Sequence, residues 1–123
     1  MPDQTFVIVA EDEELVRFVI VEALRDEGFE VMEVEHAEAA LVVLASHARR
    51  IHVLFTDIQM SGTMDGMALA HHTSTHWPWI GLLVTSAQPH PDRSAFPRKS
   101  RFVAKPYEHR DVIRHIRELS AAG

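Results

Sequence analysis

Short apolar runs alternate with helix-patterned stretches along the whole chain, and this alternation restricts the fold class more than any single residue does. Phe6-Val7-Ile8-Val9-Ala10 is a continuous apolar run of strand length, as expected of a strand buried on both faces. Glu30-Val31-Met32-Glu33-Val34 alternates polar and apolar and predicts a more exposed strand. Ile51 to Thr56, Ile80 to Thr85 and Arg101-Phe102-Val103-Ala104 complete the set of strands. Between them lie helix patterns. Leu15 to about Asp26 places Val16, Val19, Ile20, Ala23 and Leu24 on one face, with Gly28 as its stop. Ala37 to Ala48 carries Ala37, Ala40, Leu41 and Leu44 on one side. A third helix, about Asp65 to Thr75, has Met67, Ala68 and Ala70 to His72 as its expected inward positions and ends at Trp77-Pro78. Tyr107 to Leu119 has the stripe Val112, Ile113, Ile116 and Leu119. Gln88 to Ser100 holds Pro89, Pro91 and Pro97 and supports only a short or irregular helix. Strands joined by helices run parallel, so the expected fold is α/β, a doubly wound five-stranded parallel sheet. One domain over residues 1–123, with its core at about 5–119 and a Ser120–Gly123 tail, uses the whole length.

Charge and residue usage narrow the function classes. The net charge of −6 argues against a direct nucleic-acid partner, which needs a basic surface, and suits a protein that binds cations or basic partners. With no cysteine there is no disulfide or thiolate metal site. No apolar run is long enough for a bilayer, and Met1-Pro2-Asp3-Gln4-Thr5 lacks the features of a signal peptide, so a cytoplasmic location and no membrane contact are expected.

In a parallel sheet the carboxyl ends of all strands share one edge, where such folds place their chemistry. That edge would gather Glu11 and Asp12, Asp57, Thr85 and Ser86, and Lys105. Three carboxylates held close repel one another unless a cation joins them. All-oxygen ligation with room for water suits Mg²⁺. A lysine and a hydroxyl facing that ion would hold further oxygens of a phosphoryl group, and a metal-neutralised aspartate is a competent nucleophile toward phosphorus.

Five motifs stand in order along this framework: Val9-Ala10-Glu11-Asp12-Glu13, Thr56-Asp57-Ile58-Gln59-Met60, Met64-Asp65-Gly66, Leu83-Val84-Thr85-Ser86-Ala87 and Phe102-Val103-Ala104-Lys105-Pro106-Tyr107. On these motifs the chain resembles a response-regulator receiver domain of two-component signalling, the CheY-like family, over nearly its whole length. The resemblance implies strand order 2-1-3-4-5, a flavodoxin-like arrangement. It implies that Asp57 accepts a phosphoryl group. Asp12 would bind Mg²⁺ directly, Glu11 directly or through water, and the Gln59 carbonyl would complete the protein ligands with Asp57. Lys105 would pair with a phosphoryl oxygen, with a cis bond to Pro106. The switch hydroxyl of the family precedes a small residue, which points to Ser86 before Ala87 rather than to Thr85. Phe102 stands at the switch aromatic, and Gln59 and Gln88 at the positions that tune hydrolysis of the acyl phosphate. The implied partners are a histidine kinase or histidine phosphotransfer protein as donor and a protein target downstream. A homodimer through the fourth-helix region, fifth strand and last helix is a further implied arrangement. The chain departs from the family in three places: Ser61 stands where proline is usual, Phe102 lacks the hydroxyl of the commoner tyrosine, and the proline-rich segment replaces an ordinary fourth helix.

Plainer readings exist for the same residues. Asp57 alone would serve as a loop cap after a strand. Glu11 to Glu14 favour the start of a helix, and Glu13 and Glu14 are assigned that role only. Among nine histidines, His72 and His76 have the spacing of a zinc pair, without a third ligand placed nearby. Three other functions compete with the phosphoacceptor: a receiver-shaped interaction module that works without phosphorylation, an aspartyl phosphatase, and a flavin-binding protein. The phosphatase would need an acid two residues beyond its nucleophile, where Gln59 stands. The flavin protein would need a phosphate cradle where the acidic Glu11 to Glu14 stretch lies.

Overall fold

A computed structural model of the chain describes residues 4–88 and 92–122. The strands are β1 (Phe6–Ala10), β2 (Glu30–Val34), β3 (Val53–Asp57), β4 (Gly81–Ser86) and β5 (Arg101–Ala104), and the α-helices are α1 (Glu14–Asp26), α2 (Ala37–His47), α3 (Gly66–His76) and α4 (His109–Ala122). The strands form one sheet in the order β2-β1-β3-β4-β5, and every pair is parallel. The register sets Ala10 beside Thr56, Asp57 beside Thr85, and Ser86 beside Ala104, so the candidate residues share one edge.

Successive strand residues point to opposite faces, and both faces are covered. On one, Ile8, Leu54, Leu82 and Val84 meet Ala37, Ala40 and Leu44 of α2 and Leu69 and Ala70 of α3. On the other, Val7, Val9, Phe55 and Leu83 meet Ile20, Val21 and Leu24 of α1 and Val112 and Ile116 of α4. β3 is buried throughout, whereas β2 at the sheet edge is only partly covered, as its alternating sequence anticipates.

Two helices are rotated from the faces their sequences suggest. α1 buries Ile20, Val21 and Leu24, while Val19 stays 41% exposed beside the more exposed Leu15 and Phe18. α3 buries Gly66, Leu69, Ala70 and Thr73, whereas Ala68 and His71 face outward. Alanines and histidines give a weak periodic signal, so contact with the sheet decides the rotation. The buried Thr73 hydroxyl is satisfied because it donates to the Leu69 carbonyl at 2.8 Å. α4 begins at His109 rather than Tyr107, whose ring meets Phe55 edge-on at 5.6 Å. In the Gln88–Ser100 stretch the described residues hold a single 3₁₀ turn, Arg93–Ala95, capped by Asp92, whose Oδ1 accepts from the Ser94 amide at 3.1 Å. Pro89 and Pro91 lie outside the described residues.

α3 starts hard against the end of β3. The Gly66 amide donates to the Ile58 carbonyl at 2.8 Å, and a Cβ on Gly66 would stand 1.7 Å from the Asp57 carbonyl oxygen. Backbone cannot yield as a flexible side chain would. Gly66→Ala is therefore expected to lower the unfolding free energy by at least about 1–3 kcal/mol. Leu69→Ala, which empties a fully buried site, is expected to cost about 2–5 kcal/mol. Urea denaturation measures both, and an unchanged midpoint for Gly66→Ala would show that the helix start has room the structure does not leave it.

Candidate functional site

The edge where the strands end is acidic and only partly open. Glu11, just beyond β1, is 3% exposed, and Asp57, the last residue of β3, is 5% exposed. Parallel pairing continues past Ala10, since the Glu11 amide donates to the Val34 carbonyl at 3.1 Å, and this holds the Glu11 main chain in line with the sheet. Arg17 of α1 donates to the Glu11 carbonyl at 2.8 Å. Asp12 lies in the following loop, where its Oδ2 accepts the Ser61 amide at 3.0 Å.

Lys105 follows the end of β5 and is joined to Pro106 by a cis peptide bond. Its Nζ lies 2.5 Å from Asp57 Oδ2, 2.8 Å from Glu11 Oε1 and 3.6 Å from Glu13 Oε1. Asp57 Oδ1 accepts the Gln59 amide at 3.0 Å, and Glu11 Oε2 accepts the Glu13 amide at 3.0 Å. Burial opposes the charge on Lys105, but its hydrogen bonds and attraction to Asp57 and Glu11 outweigh that and hold the ammonium above its ordinary range. Burial pushes the Glu11 carboxyl up, and the Asp57 charge adds to this, against the bonds from Lys105 and the Glu13 amide.

The donor set fits a hard cation. Glu11, Asp12 and Asp57 each offer a carboxylate oxygen, and these atoms lie within 4.8 Å of one another. One lysine against three carboxylates leaves an excess of negative charge in a site where two of the acids are almost dry. Oxygen ligands in this number, beside an open depression of about 590 Å³ that water can fill, suit Mg²⁺. Asp12, Gln59, Asp65 and Gln88 line that depression. Among the described residues no other group of three or more histidines or acids comes together in this way. His72 and His76 stack on α3 with ring centroids 4.0 Å apart, and no third ligand joins them among those residues.

The two hydroxyls that sequence reasoning left in competition have different surroundings. Ser86 Oγ donates to Gln59 Oε1 at 2.9 Å and accepts the Gln88 amide at 3.0 Å. Gln59 Nε2 in turn reaches Gln88 Oε1 at 3.4 Å. Thr85 is buried beside Glu11, Phe55, Asp57 and Tyr107, and its hydroxyl finds no partner among the described residues. Phe102 is half-buried, with the Phe96 ring 5.7 Å away and the Arg93 guanidinium 5.2 Å above it. The candidate switch aromatic is therefore packed by the segment that stands in place of a fourth helix.

Four contributors have no such role assigned from sequence, although Gly66 and Tyr107 stand inside its motifs. Glu13, expected only to favour a helix start, also faces Lys105. Glu38 of α2 accepts from the loop after Asp57. Gly66 gives α3 its close approach. Tyr107 closes the floor beside Glu11 and Asp57. Glu13 and Glu38 have no short-range signal, since each meets residues brought near by the sheet, whereas Gly66 and Tyr107 stand within the Met64-Asp65-Gly66 and Phe102-to-Tyr107 motifs.

Burial first, and then the Glu11 charge, push the Tyr107 phenol from 10.0 up to about 12. The folded state thus holds that proton more tightly than the unfolded chain does. The stability this contributes is complete below 10.0 and is lost as pH rises through about 12. Tyr107 is the only tyrosine in the chain, so tyrosinate absorbance against pH reports it alone. The expected titration lies well above that of the urea-unfolded chain, and coincident curves would contradict the buried placement.

The family model described as the response regulator receiver domain matches residues 7–117. The response regulator protein FleR of Pseudomonas aeruginosa is 31% identical over 110 residues, covering 87% of this chain but 23% of FleR. The response regulator receiver protein CpdR of Brucella abortus is 28% identical over 120 residues, covering 94% of this chain and 97% of CpdR. The chain thus spans less than a quarter of one of these relatives and nearly all of the other. The crystal structure of a response regulator receiver protein from Sinorhizobium medicae superposes with a TM-score of 0.87 at 24% identity, covering 98% of this chain and 97% of that one. The match spans every strand end described above, and the chain belongs to the response regulator receiver domain family.

Proposed function

We propose that this chain is a receiver domain, with its core at about 5–119, that takes a phosphoryl group on Asp57 and signals through a changed protein-binding surface. The observation that carries this reading is the Lys105 ammonium, 2.5 Å from Asp57 Oδ2 and 2.8 Å from Glu11 Oε1, in a pocket where Glu11, Asp12 and Asp57 converge within 4.8 Å. The donor is a phosphohistidine on a histidine kinase or a histidine phosphotransfer protein.

In the transfer an Asp57 carboxylate oxygen forms the new bond to phosphorus. The bond from phosphorus to the donor imidazole nitrogen breaks, and that nitrogen keeps the electron pair and takes up a proton. Glu11, Asp12, Asp57 and the Gln59 carbonyl would hold Mg²⁺, which when bound neutralises charge on the phosphoryl oxygens and on the carboxylates. Lys105 shifts from the Asp57 carboxylate to a phosphoryl oxygen, so its positive charge follows the negative charge. The Ser86 hydroxyl leaves Gln59 Oε1 for another phosphoryl oxygen, and Phe102 leaves its resting contacts with Arg93 and Phe96 to pack inward. Thr85, already buried against Asp57, is the alternative hydroxyl. Gln59 and Gln88, whose side chains meet over Ser86, set access of water to the acyl phosphate and thereby its lifetime.

Lys105 also lines an apolar groove with Leu15, Val16, Val19 and Tyr107. The exposure of Leu15 and Val19 on α1 is then contact surface for the donor protein. The downstream target would read the Arg93–Ala95 turn, β5 and α4, the surface through which a homodimer would also form. The exchange is placed in the cytoplasm as part of the same proposal; among the described residues no helix is long and apolar enough to cross a membrane.

Incubation with acetyl phosphate and Mg²⁺, followed by intact-mass spectrometry, is expected to add one phosphoryl group. Chelation of the metal and Asp57→Ala should each abolish the adduct. Ser86→Ala should still accept the group, while losing the phosphorylation-dependent change in the spectra of β5 and α4 that Thr85→Val retains. Absence of any adduct, even from a histidine-phosphorylated donor, together with partner binding retained by Asp57→Ala, would leave an interaction module that works without phosphorylation.

A further inference from the structure

The loop leaving Asp57, residues 58–65, is hung by its amides on carboxylates from three different elements. Gln59 donates to Asp57 Oδ1 at 3.0 Å, and Ser61 donates to Asp12 Oδ2 at 3.0 Å. The amides of Thr63 and Met64 both donate to Glu38 Oε2, at 3.1 and 3.0 Å, and the Thr63 hydroxyl donates to the same oxygen at 2.5 Å. Asp57 and Asp12 belong to the pocket. Glu38 does not, since it sits in the first turn of α2 with its side chain 41% exposed.

The turn between the two anchors needs glycine. Gly62 has φ +110, and a Cβ there would stand 3.1 Å from Glu38 Oε1. The chain thus reverses between the amide given to Asp12 and the amides given to Glu38. His36 Nδ1 lies 3.5 Å from Glu38 Oε1, but it accepts the Ala39 amide at 3.1 Å and so is not the donor to this carboxylate. A single oxygen of Glu38, Oε2, accepts all three bonds from the loop.

We propose that Glu38 is a positioning residue for the cation pocket: through Thr63 and Met64 it fixes the loop so that the Ser61 amide orients the Asp12 carboxylate. The proposal rests on the reading of Glu11, Asp12 and Asp57 as a Mg²⁺ site. Asp12 is the only one of the three acids without a bond to Lys105 or burial like its neighbours'. Its direction depends on the one amide the loop supplies. That donor exists because position 61 is serine, as a proline there would have no N–H to give. One oxygen of Asp12 is held by the amide, which would leave the other available to a cation.

Four variants of the full chain separate the links. Magnesium titration by calorimetry on the unphosphorylated protein reads the pocket, and hydrogen exchange at Ser61, Thr63 and Met64 reads the loop. Glu38→Ala is expected to speed exchange at all three amides and to weaken Mg²⁺ binding about tenfold, the low end of the loss when a partner that orients a metal ligand is removed. Glu38→Gln keeps an acceptor oxygen and should recover part of both. Ser61→Pro should reproduce the Mg²⁺ loss while Thr63 and Met64 stay protected, and Ser61→Ala, which keeps the amide, should match the wild type. Faster exchange at Thr63 and Met64 with unchanged Mg²⁺ affinity would overturn the proposal and leave Glu38 as a local staple. A wild-type chain that takes up no Mg²⁺ would instead remove the reading of the pocket itself, and this proposal with it.

Discussion

The Lys105 ammonium, only 13% exposed, sits between the carboxylates of Asp57 and Glu11 at 2.5 and 2.8 Å. Charges that dry are tolerated only when they are paired and hydrogen-bonded, and removing one partner would leave the others uncompensated. The lysine is therefore both the structural counter-ion of the resting pocket and a cation that can follow negative charge to a new group. Three strands must end at the same level to bring these side chains together. The parallel register achieves this by setting Ala10 beside Thr56, Asp57 beside Thr85 and Ser86 beside Ala104.

Rigidity below the pocket and adaptable contacts above it follow from the same layout. β1 and β3 are packed on both faces by fully buried aliphatic side chains, so the acids at their ends have little freedom to separate. The hydroxyl and amide groups over them are joined by single hydrogen bonds, Ser86 to Gln59 and Gln59 to Gln88. Such bonds are individually modest, about 0.5–1.5 kcal/mol net. They exchange readily for stronger charge-assisted bonds when a dianionic group arrives.

The segment between β4 and β5 shows how a local rule and a tertiary contact combine. Proline density precludes a regular helix there, and the described part contains only the Arg93–Ala95 turn. What keeps that turn in place is not only its local Asp92 cap. His71 of α3 pairs with the Ala95 carbonyl at 2.7 Å, and Phe96 and Arg93 pack on Phe102 of β5. A carbonyl only accepts, so His71 carries its proton on Nε2. The surface this segment forms is thus tied to the half-buried aromatic of β5.

Much of this molecule was legible in the order of its residues. Apolar runs of strand length are governed by a period of two and by burial, so all five strands stand within a residue or two of where the pattern places them. Parallel connection follows from the intervening helices, and it carries Glu11, Asp12, Asp57, Ser86 and Lys105 to one edge without further assumption. Other features depend on distances the sequence does not encode. The faces of α1 and α3 turned on which side chains the sheet could accept, so Leu69 and Thr73 went inward and Val19 remained outside. Glu38 met Thr63 and Met64, and Glu13 met Lys105, across gaps in sequence that only folding closes. Local periodicity and strand order are set by covalent spacing and burial, whereas helix rotation, the hydrogen bonds of the loop and the partners of each hydroxyl are set by packing between elements.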